Sequence, residues 1–247
     1  MKTLKGILFL SITAALLTYA ISCSNPMGVQ TLDETPTRGN ISIAVDESFQ
    51  LLFDTQVFTF QSLYVNATIK SHYLPEFEVI DNFMNDSVRT IVLTRDLSKE
   101  EKEYLQANKF IPRSTIIAHD ALALIVNPEN ADSVLFVDQF ESILNGKITT
   151  WNQIQSGLAQ STINVVFDNN KSGNVRYFRD KFNLKSGFPA NCFAVNSNNE
   201  VIEYVKKNKH ALGIISVNWI SDTQDSISQQ FLKSVKVLKI GTSAENS

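Results

Sequence analysis

Cysteine and histidine are scarce in this chain of 247 residues, which has two cysteines and three histidines. With only Cys23 and Cys192 available, no disulfide framework can support the fold. His72, His119 and His210 are isolated, and none lies at metal-ligand spacing from another histidine, a cysteine or an acid. We therefore expect no metal site and no cofactor. Cys192 is interpreted as a buried small hydrophobe, with a reactive thiol as the alternative.

Basic runs and catalytic motifs are also lacking. Lysine and arginine number 22 against 25 acids, which gives a net charge of −3. A mildly acidic chain without a basic run is a poor candidate for binding nucleic acid. The sequence contains no Gly-x-Ser-x-Gly elbow, phosphate loop or dinucleotide fingerprint, and no spacing of its carboxylates singles out an acid/base pair. These absences favour a binding protein without catalytic residues; a hydrolase is a weak alternative.

The N-terminus has the pattern of an exported protein. Residues 1–5 carry two lysines and no acid, and the apolar run at residues 7–21 is shorter than the roughly 20 residues that span a bilayer. This pattern predicts a signal peptide over residues 1–22. Ser22 before Cys23 resembles the lipobox of bacterial lipoproteins, in the form found in Bacteroidetes. The resemblance implies lipidation of Cys23 and anchoring on the periplasmic or cell-surface side of a membrane; an ordinary signal peptide stays the alternative.

Residues 23–40 contain two prolines, two glycines and few large apolar side chains, so they are predicted to form a tether. Beyond them, short apolar strands alternate with amphipathic helices. The predicted strands are 41–45, 67–69, 90–93, 114–118, 121–126, 163–167, 211–216 and 235–240; the predicted helices are 46–63, 76–84, 98–108, 137–146, 175–182 and 199–208. This order predicts an α/β fold with mostly parallel sheets flanked by helices.

Ligands of such folds bind beyond the carboxyl ends of strands, at helix N-termini. Three junctions qualify: residues 46–49, 94–96 and 171–174. In the third, the pair Ser172-Gly173 offers a hydroxyl, close backbone approach and unpaired amides, which together can hold an anion. The alternative is that Ser172 and Asn174 only cap the helix. The sequence therefore predicts a binding cleft.

Several segments together resemble the phosphate-binding (PstS-like) proteins of ABC importers. They are residues 116–128, similar to the family's crossing segment; 140–151, similar to its F-x-G-K-I-x-x-W stretch; 172–174, similar to its Ser-Gly-Thr anion loop; and 211–215, similar to its return strand. The resemblance covers roughly residues 41–222. It implies a periplasmic-binding-protein-like fold of type II, with two crossing hinge strands between two lobes. Lobe one would be 41–121 plus 213–247, and lobe two 122–212.

The same resemblance implies a function. The protein would capture phosphate or a related small oxyanion in the cleft, which hinge closure seals. It would then deliver the ligand to an ABC permease in the inner membrane, and it would act as a monomer. The alternative is a cell-surface sensor or adhesion module that reuses the fold with a different ligand.

The resemblance also implies site residues. Those that correspond to the family's ligand-binding positions are Ser48, Phe49, Thr94, Arg95, Ser172, Gly173 and Asn174, with Lys171 and Arg176 as charge compensation. Three positions depart from the family. Asp168 replaces an arginine, Thr94 replaces the acidic acceptor that reads the proton on hydrogen phosphate, and residues 73–76 replace a Ser-Ser-Gly-Gly turn. Glu47, Glu76 and Asp168 are therefore expected to surround the site with negative charge.

Overall fold

A computed structural model describes residues 34–131, 133–158 and 160–242. The predicted signal peptide and Cys23 lie outside these residues. Within them, no helix is long and apolar enough to cross a membrane.

The chain alternates strands and helices from Gly39 onward. The strands are β1 Gly39–Asp46, β2 Ala67–Leu74, β3 Ile91–Val92, β4 Leu122–Val126, β5 Val134–Phe136, β6 Asn164–Phe167, β7 Cys192–Ala194, β8 Ala211–Ser216, β9 Lys236–Val237 and β10 Lys239–Gly241. The helices are α1 Gln50–Leu63, α2 Glu76–Met84, α3 Lys99–Ala107, α4 Val137–Leu144, α5 Gly173–Lys181, α6 Asn198–Lys207, α7 Asn218–Ser221 and α8 Ser226–Ser234. Short 3-10 turns occupy Glu47–Phe49 and Trp151–Gln153.

The N-terminal lobe contains a parallel sheet of three strands in the order β2-β1-β3, with α1, α2 and α3. Val79, Ile80 and Phe83 give α2 a buried face, because residues three and four apart lie on one side of a helix. Ser98 and Glu101 form a capping box that starts α3. These local signals place α2 and the segment before α3 at the carboxyl ends of β2 and β3.

The C-terminal lobe contains a sheet in the order β7-β6-β8-β4-β9, the parallel pair β5–β10, and α4 to α8. In the larger sheet β4 runs antiparallel to β8 and β9, whereas the other pairs are parallel. All six residues of β8 are buried, as expected for a central strand covered on both faces. At Gly213, an added Cβ would lie 2.7 Å from Val205 and 2.8 Å from Val201, so α6 packs directly on this strand.

The mixed α/β architecture agrees with the sequence prediction, but the predicted strand at residues 114–118 does not form. Ile116 and Ile117 are 81% and 68% exposed there. β-branched residues favour strands only where a neighbouring strand and a half-buried surface receive them. The predicted strand 235–240 is divided into β9 and β10, and β5, β7, α7 and α8 were not predicted.

The predicted lobe boundary stays a prediction, but the strand pairing groups the C-terminal residues differently. Residues 213–247 were assigned to lobe one, yet β8, β9 and β10 all pair within the C-terminal lobe. The reason is that Gly213 lies inside β8, a continuous strand held between β4 and β6. The chain crosses between lobes near Ala121, whose carbonyl accepts a hydrogen bond from the Val217 amide at 2.8 Å.

Candidate functional site

Polar residues from both lobes meet at the N-terminus of α5. A Cβ added to Gly173 would lie 2.6 Å from Thr94 Oγ1, 2.9 Å from Glu76 Oε2 and 3.3 Å from Asp46 Oδ2. Thr94 and Glu76 follow β3 and β2 of the N-terminal lobe, and Asp46 is the last residue of β1. The lobes therefore touch where glycine exposes the backbone of α5, and the first amides of a helix lack intrahelical partners. We call this place the interlobe site.

Ser172 starts α5 and holds a buried acid. Its hydroxyl donates to Asp168 Oδ1 at 2.6 Å and accepts from the Val175 amide at 3.3 Å. Asn174 Nδ2 donates to Asp168 Oδ2 at 2.9 Å. The hydroxyl of Ser172 thus caps the helix, and its contact with a ligand stays a prediction. Gly173, between them, faces Thr94, Glu76 and Asp46 of the N-terminal lobe.

Glu76 is the central ionic group of the site. Arg176 donates to both of its carboxylate oxygens, from Nε at 2.5 Å and from Nη2 at 3.1 Å. Thr94 Oγ1 donates to Oε2 at 2.7 Å, and Arg95 Nε lies 3.4 Å from Oε1. Burial raises the pKa of Glu76, but the hydrogen bonds from Arg176 and Thr94 and the two guanidinium charges lower it overall. Glu76 is therefore ionised at neutral pH.

The other two predicted cations make their shortest ion pairs with other acids, although Arg95 also contacts Glu76 at 3.4 Å. Arg95 makes a forked ion pair with Glu101, at 2.8 and 2.7 Å, which raises the pKa of the arginine. Lys171 pairs with Glu78 at 3.0 Å, and half of its side chain is exposed. Of the residues predicted to compensate charge, Arg176 is therefore the one in contact with Glu76.

Asp46 and Ser48 carry buried polar atoms with no hydrogen-bond partner among the described residues. Asp46 Oδ1 accepts from the Ser48 amide at 2.9 Å, and neither Oδ2 nor the Ser48 hydroxyl makes a hydrogen bond of good geometry, although the hydroxyl is close enough to the carboxyl group to lower its pKa. Asp46 is 1% exposed and Ser48 is fully buried. Buried polar atoms without a full set of partners cost stability, so Asp46 Oδ2, which lies 3.3 Å from a Cβ built on Gly173, marks a place where a ligand can supply a partner.

A buried polar network supports the site from the C-terminal lobe. Asn198 donates to both oxygens of Glu47, from its amide at 3.1 Å and from Nδ2 at 2.7 Å. Its Oδ1 accepts from the Ser216 amide at 3.1 Å, and Ser216 Oγ donates to Asp120 at 2.7 Å. Sequence reasoning did not select Asn198 or Ser216. The cap Ser197, with Glu200 three residues later, marks this junction and could have directed attention to Asn198.

Three carboxyl groups of the site have raised pKa values. Desolvation by burial raises the pKa of Asp46 and of Glu47 to about 7 and that of Asp168 to about 6. Neighbouring hydrogen bonds lower these values in part, and the mutual repulsion of the acids raises those of Asp46 and Glu47 further. These groups are thus partly protonated near neutral pH, and their negative charge is smaller than the sequence implies.

Phe49 lines a cavity that borders this cluster, because Asp120 of the polar network and Asn218, which donates to the Ser48 carbonyl at 3.0 Å, line it too. The cavity has a volume of ≈ 410 Å³ and is also lined by residues of the crossing region. The other lining residues are Leu52, Ala118, His119, Asp120, Ala121, Val217, Asn218 and Ser221. Within the part of the chain that the structure describes, no group of three or more histidines, cysteines or acids could hold a metal ion.

Comparisons with known proteins bear on this site. A family described as a PBP superfamily domain matches residues 31–247. The phosphate-binding protein PstS of Borreliella burgdorferi is 25% identical over 190 residues, which cover 74% of this chain and 65% of the relative. PstS of Staphylococcus aureus is 29% identical over 142 residues, or 57% and 42% of the two chains. The chain thus spans less than two thirds of the length of these relatives.

Solved structures show the same fold. One comes from Clostridium perfringens and is described as a phosphate ABC transporter substrate-binding protein with bound phosphate. Its TM-score is 0.70 at 24% identity, and the alignment covers 83% of this chain and 78% of the Clostridium chain. An ABC-type phosphate transport receptor from Vibrio cholerae gives 0.58 at 22% identity, with 83% and 80% covered.

Proposed function

Because the chain belongs to the PBP superfamily, we propose that it is an extracytoplasmic solute-binding protein that captures phosphate, or a related small oxyanion, at the interlobe site. It then delivers the ligand to an ABC importer. The names of the relatives from Borreliella and Staphylococcus support phosphate as the ligand.

The observation that carries this proposal is the unsatisfied Oδ2 of Asp46 beside the N-terminus of α5. The helix amides and Arg176 supply donors for the oxygens of an anion. In its ionised form the Asp46 carboxylate is only an acceptor, so this form favours a ligand that carries a proton, whereas the protonated form can donate to any oxyanion. Hydrogen phosphate has such a proton at neutral pH, whereas sulfate does not. Asp46 thereby provides the acidic acceptor that the family resemblance would place at Thr94.

Export and anchoring complete the proposal. Acylation of Cys23 would tie the protein to a membrane through the residues before β1, which begins at Gly39 inside the predicted tether 23–40, on the side where a receptor meets its permease. Mass spectrometry of the protein purified from membranes tests this step. A diacyl or triacyl adduct on Cys23 is expected, and an unmodified N-terminus would contradict it.

Equilibrium dialysis with radiolabelled phosphate tests the ligand. Phosphate should bind and should be displaced by unlabelled phosphate, with sulfate, molybdate and phosphate esters as competitors. Displacement of the label by sulfate, molybdate or an ester at a lower concentration than unlabelled phosphate would assign a different oxyanion. Absence of retention at millimolar phosphate would refute phosphate as the ligand, and calorimetry that shows no binding of the other three anions as well would refute the oxyanion proposal.

A second candidate is a cell-surface sensor or adhesion module with a different ligand. It is favoured by the charge pairing, since Arg95, Arg176 and Lys171 each already contact a carboxylate. Deletion of the gene separates the two functions. Loss of phosphate uptake at low external phosphate supports the importer, and unchanged uptake supports the sensor.

A further inference from the structure

The N-terminus of α2 contacts the C-terminal lobe at three points. The Phe77 amide donates to the Lys171 carbonyl at 3.2 Å, and Lys171 Nζ pairs with Glu78 at 3.0 Å. The third contact is the forked pair between Glu76 and Arg176. The first two lie next to the interlobe site, whereas Glu76 reaches into it.

The surroundings of Glu76 are those of a bound anion. Its carboxylate receives the fork of Arg176 and the hydroxyl of Thr94, and Oε2 lies against Gly173 at the N-terminus of α5. Arginine forks, hydroxyls and helix N-termini are the groups with which proteins bind carboxylates and phosphates. The residue is 3% exposed, so these contacts are shielded from water.

We infer that the Glu76 carboxylate is an intramolecular occupant of the anion site, which latches the lobes together and which an incoming oxyanion must displace. Arg176 has both arms of its fork on this carboxylate, so a second anion at the same donors would meet like charge at short range. Identification of the competitor as phosphate rests on the proposed function; the latch between the lobes does not.

Displacement couples binding to opening and closing of the cleft. Glu76 belongs to α2 of the N-terminal lobe and Arg176 to α5 of the C-terminal lobe. When an oxyanion displaces Glu76 from Arg176, one bridge between the lobes breaks and a new one forms through the ligand. A ligand that binds only the unlatched state has its apparent affinity reduced by the fraction of molecules in that state. If that fraction is at most about a tenth, removal of the latch should tighten phosphate binding at least about tenfold.

Glu76→Gln is the variant that tests the latch. The amide keeps the volume of the side chain, but its nitrogen is a donor that faces the donors of Arg176 or Thr94. Glu78→Gln is the matched control, because it removes the same charge from the same helix at an exposed interlobe pair. Far-UV circular dichroism and thermal unfolding verify that both variants are folded.

Small-angle X-ray scattering of the ligand-free proteins measures whether the lobes separate when the latch is removed. Calorimetric titration with inorganic phosphate measures whether Glu76 competes with phosphate. Glu76→Gln should have a larger radius of gyration than wild type and should bind phosphate at least about tenfold more tightly; Glu78→Gln should match wild type in both. An unchanged radius of gyration overturns the latch, whether or not phosphate binds. Weaker phosphate binding overturns the competition, because Glu76 would then belong to the binding set. If Glu76→Gln expands and neither protein binds an oxyanion, the latch stands and the proposed function fails.

Discussion

Replacement of Asp46 by asparagine should stabilise the protein in a way that depends on pH. Burial raises the pKa of Asp46 from 3.8 to about 7, so the folded state binds more protons than the unfolded state between these values. The free energy of unfolding therefore falls as pH rises from about 4 to 7 and is lowest above that range. Asparagine removes this loss because it carries no ionisable proton, and its Oδ1 can still accept from the Ser48 amide.

The size of the effect follows from the shift in the pKa. One pKa unit corresponds to about 1.4 kcal/mol, so a shift of about three units is worth up to about 4 kcal/mol above pH 7. Part of that loss is already present at pH 5, because the unfolded aspartate is ionised there. The gain from Asp46→Asn should therefore grow by about 2–3 kcal/mol between pH 5 and pH 8.

Urea unfolding at pH 5 and pH 8 measures this gain. Asp86→Asn is the control, since Asp86 is exposed and its positive φ of 53° suits asparagine. It should change the free energy of unfolding by less than about 0.5 kcal/mol at either pH. A gain for Asp46→Asn that is equal at both pH values, or no gain at pH 8, would refute the assignment of a buried acid at the site.

Three further variants test the site and the core. Ser172→Ala should lower the free energy of unfolding by about 1–2 kcal/mol through loss of a helix cap, measured in urea; an unchanged value would mean that the cap is dispensable. Gly173→Ala should weaken phosphate binding about 10- to 100-fold in calorimetry, because the methyl group would lie 2.6 Å from Thr94 Oγ1; retained affinity would show that the lobes need not approach here. Gly213→Ala should destabilise by about 1–3 kcal/mol without altering affinity per folded molecule, since its methyl group would meet Val205 at 2.7 Å, and a neutral effect would contradict close packing of α6.

Local signals in the sequence predicted much of the fold. The apolar spacing of α2 gave its bounds, and the pair Ser98 and Glu101 marked the start of α3. The run of apolar residues at 211–216 matches β8. In each case neighbouring residues decide the structure, and tertiary contacts agree with the local preference.

Distant partners explain what the sequence did not predict. Residues 114–118 have β-branched side chains, but no strand of the described chain pairs with them. The forked pair of Arg95 with Glu101 depends on how α3 folds back, so the sequence could not show that this arginine is engaged. The raised pKa of Asp46 depends on burial between lobes that are far apart in the chain. The residue types alone therefore predicted a polar loop suited to an anion. Which charged groups are paired or protonated at the site could be seen only in the three-dimensional structure.

We propose that a protonated oxyanion binds between Asp46 and the N-terminus of α5. A crystal structure of the protein grown with phosphate tests it most directly. We predict phosphate oxygens within about 2.7–3.2 Å of Asp46 Oδ2 and of the Gly173 amide. Phosphate found instead in the ≈ 410 Å³ cavity beside Phe49, or an interlobe site that still excludes phosphate at saturating concentration, would contradict the account.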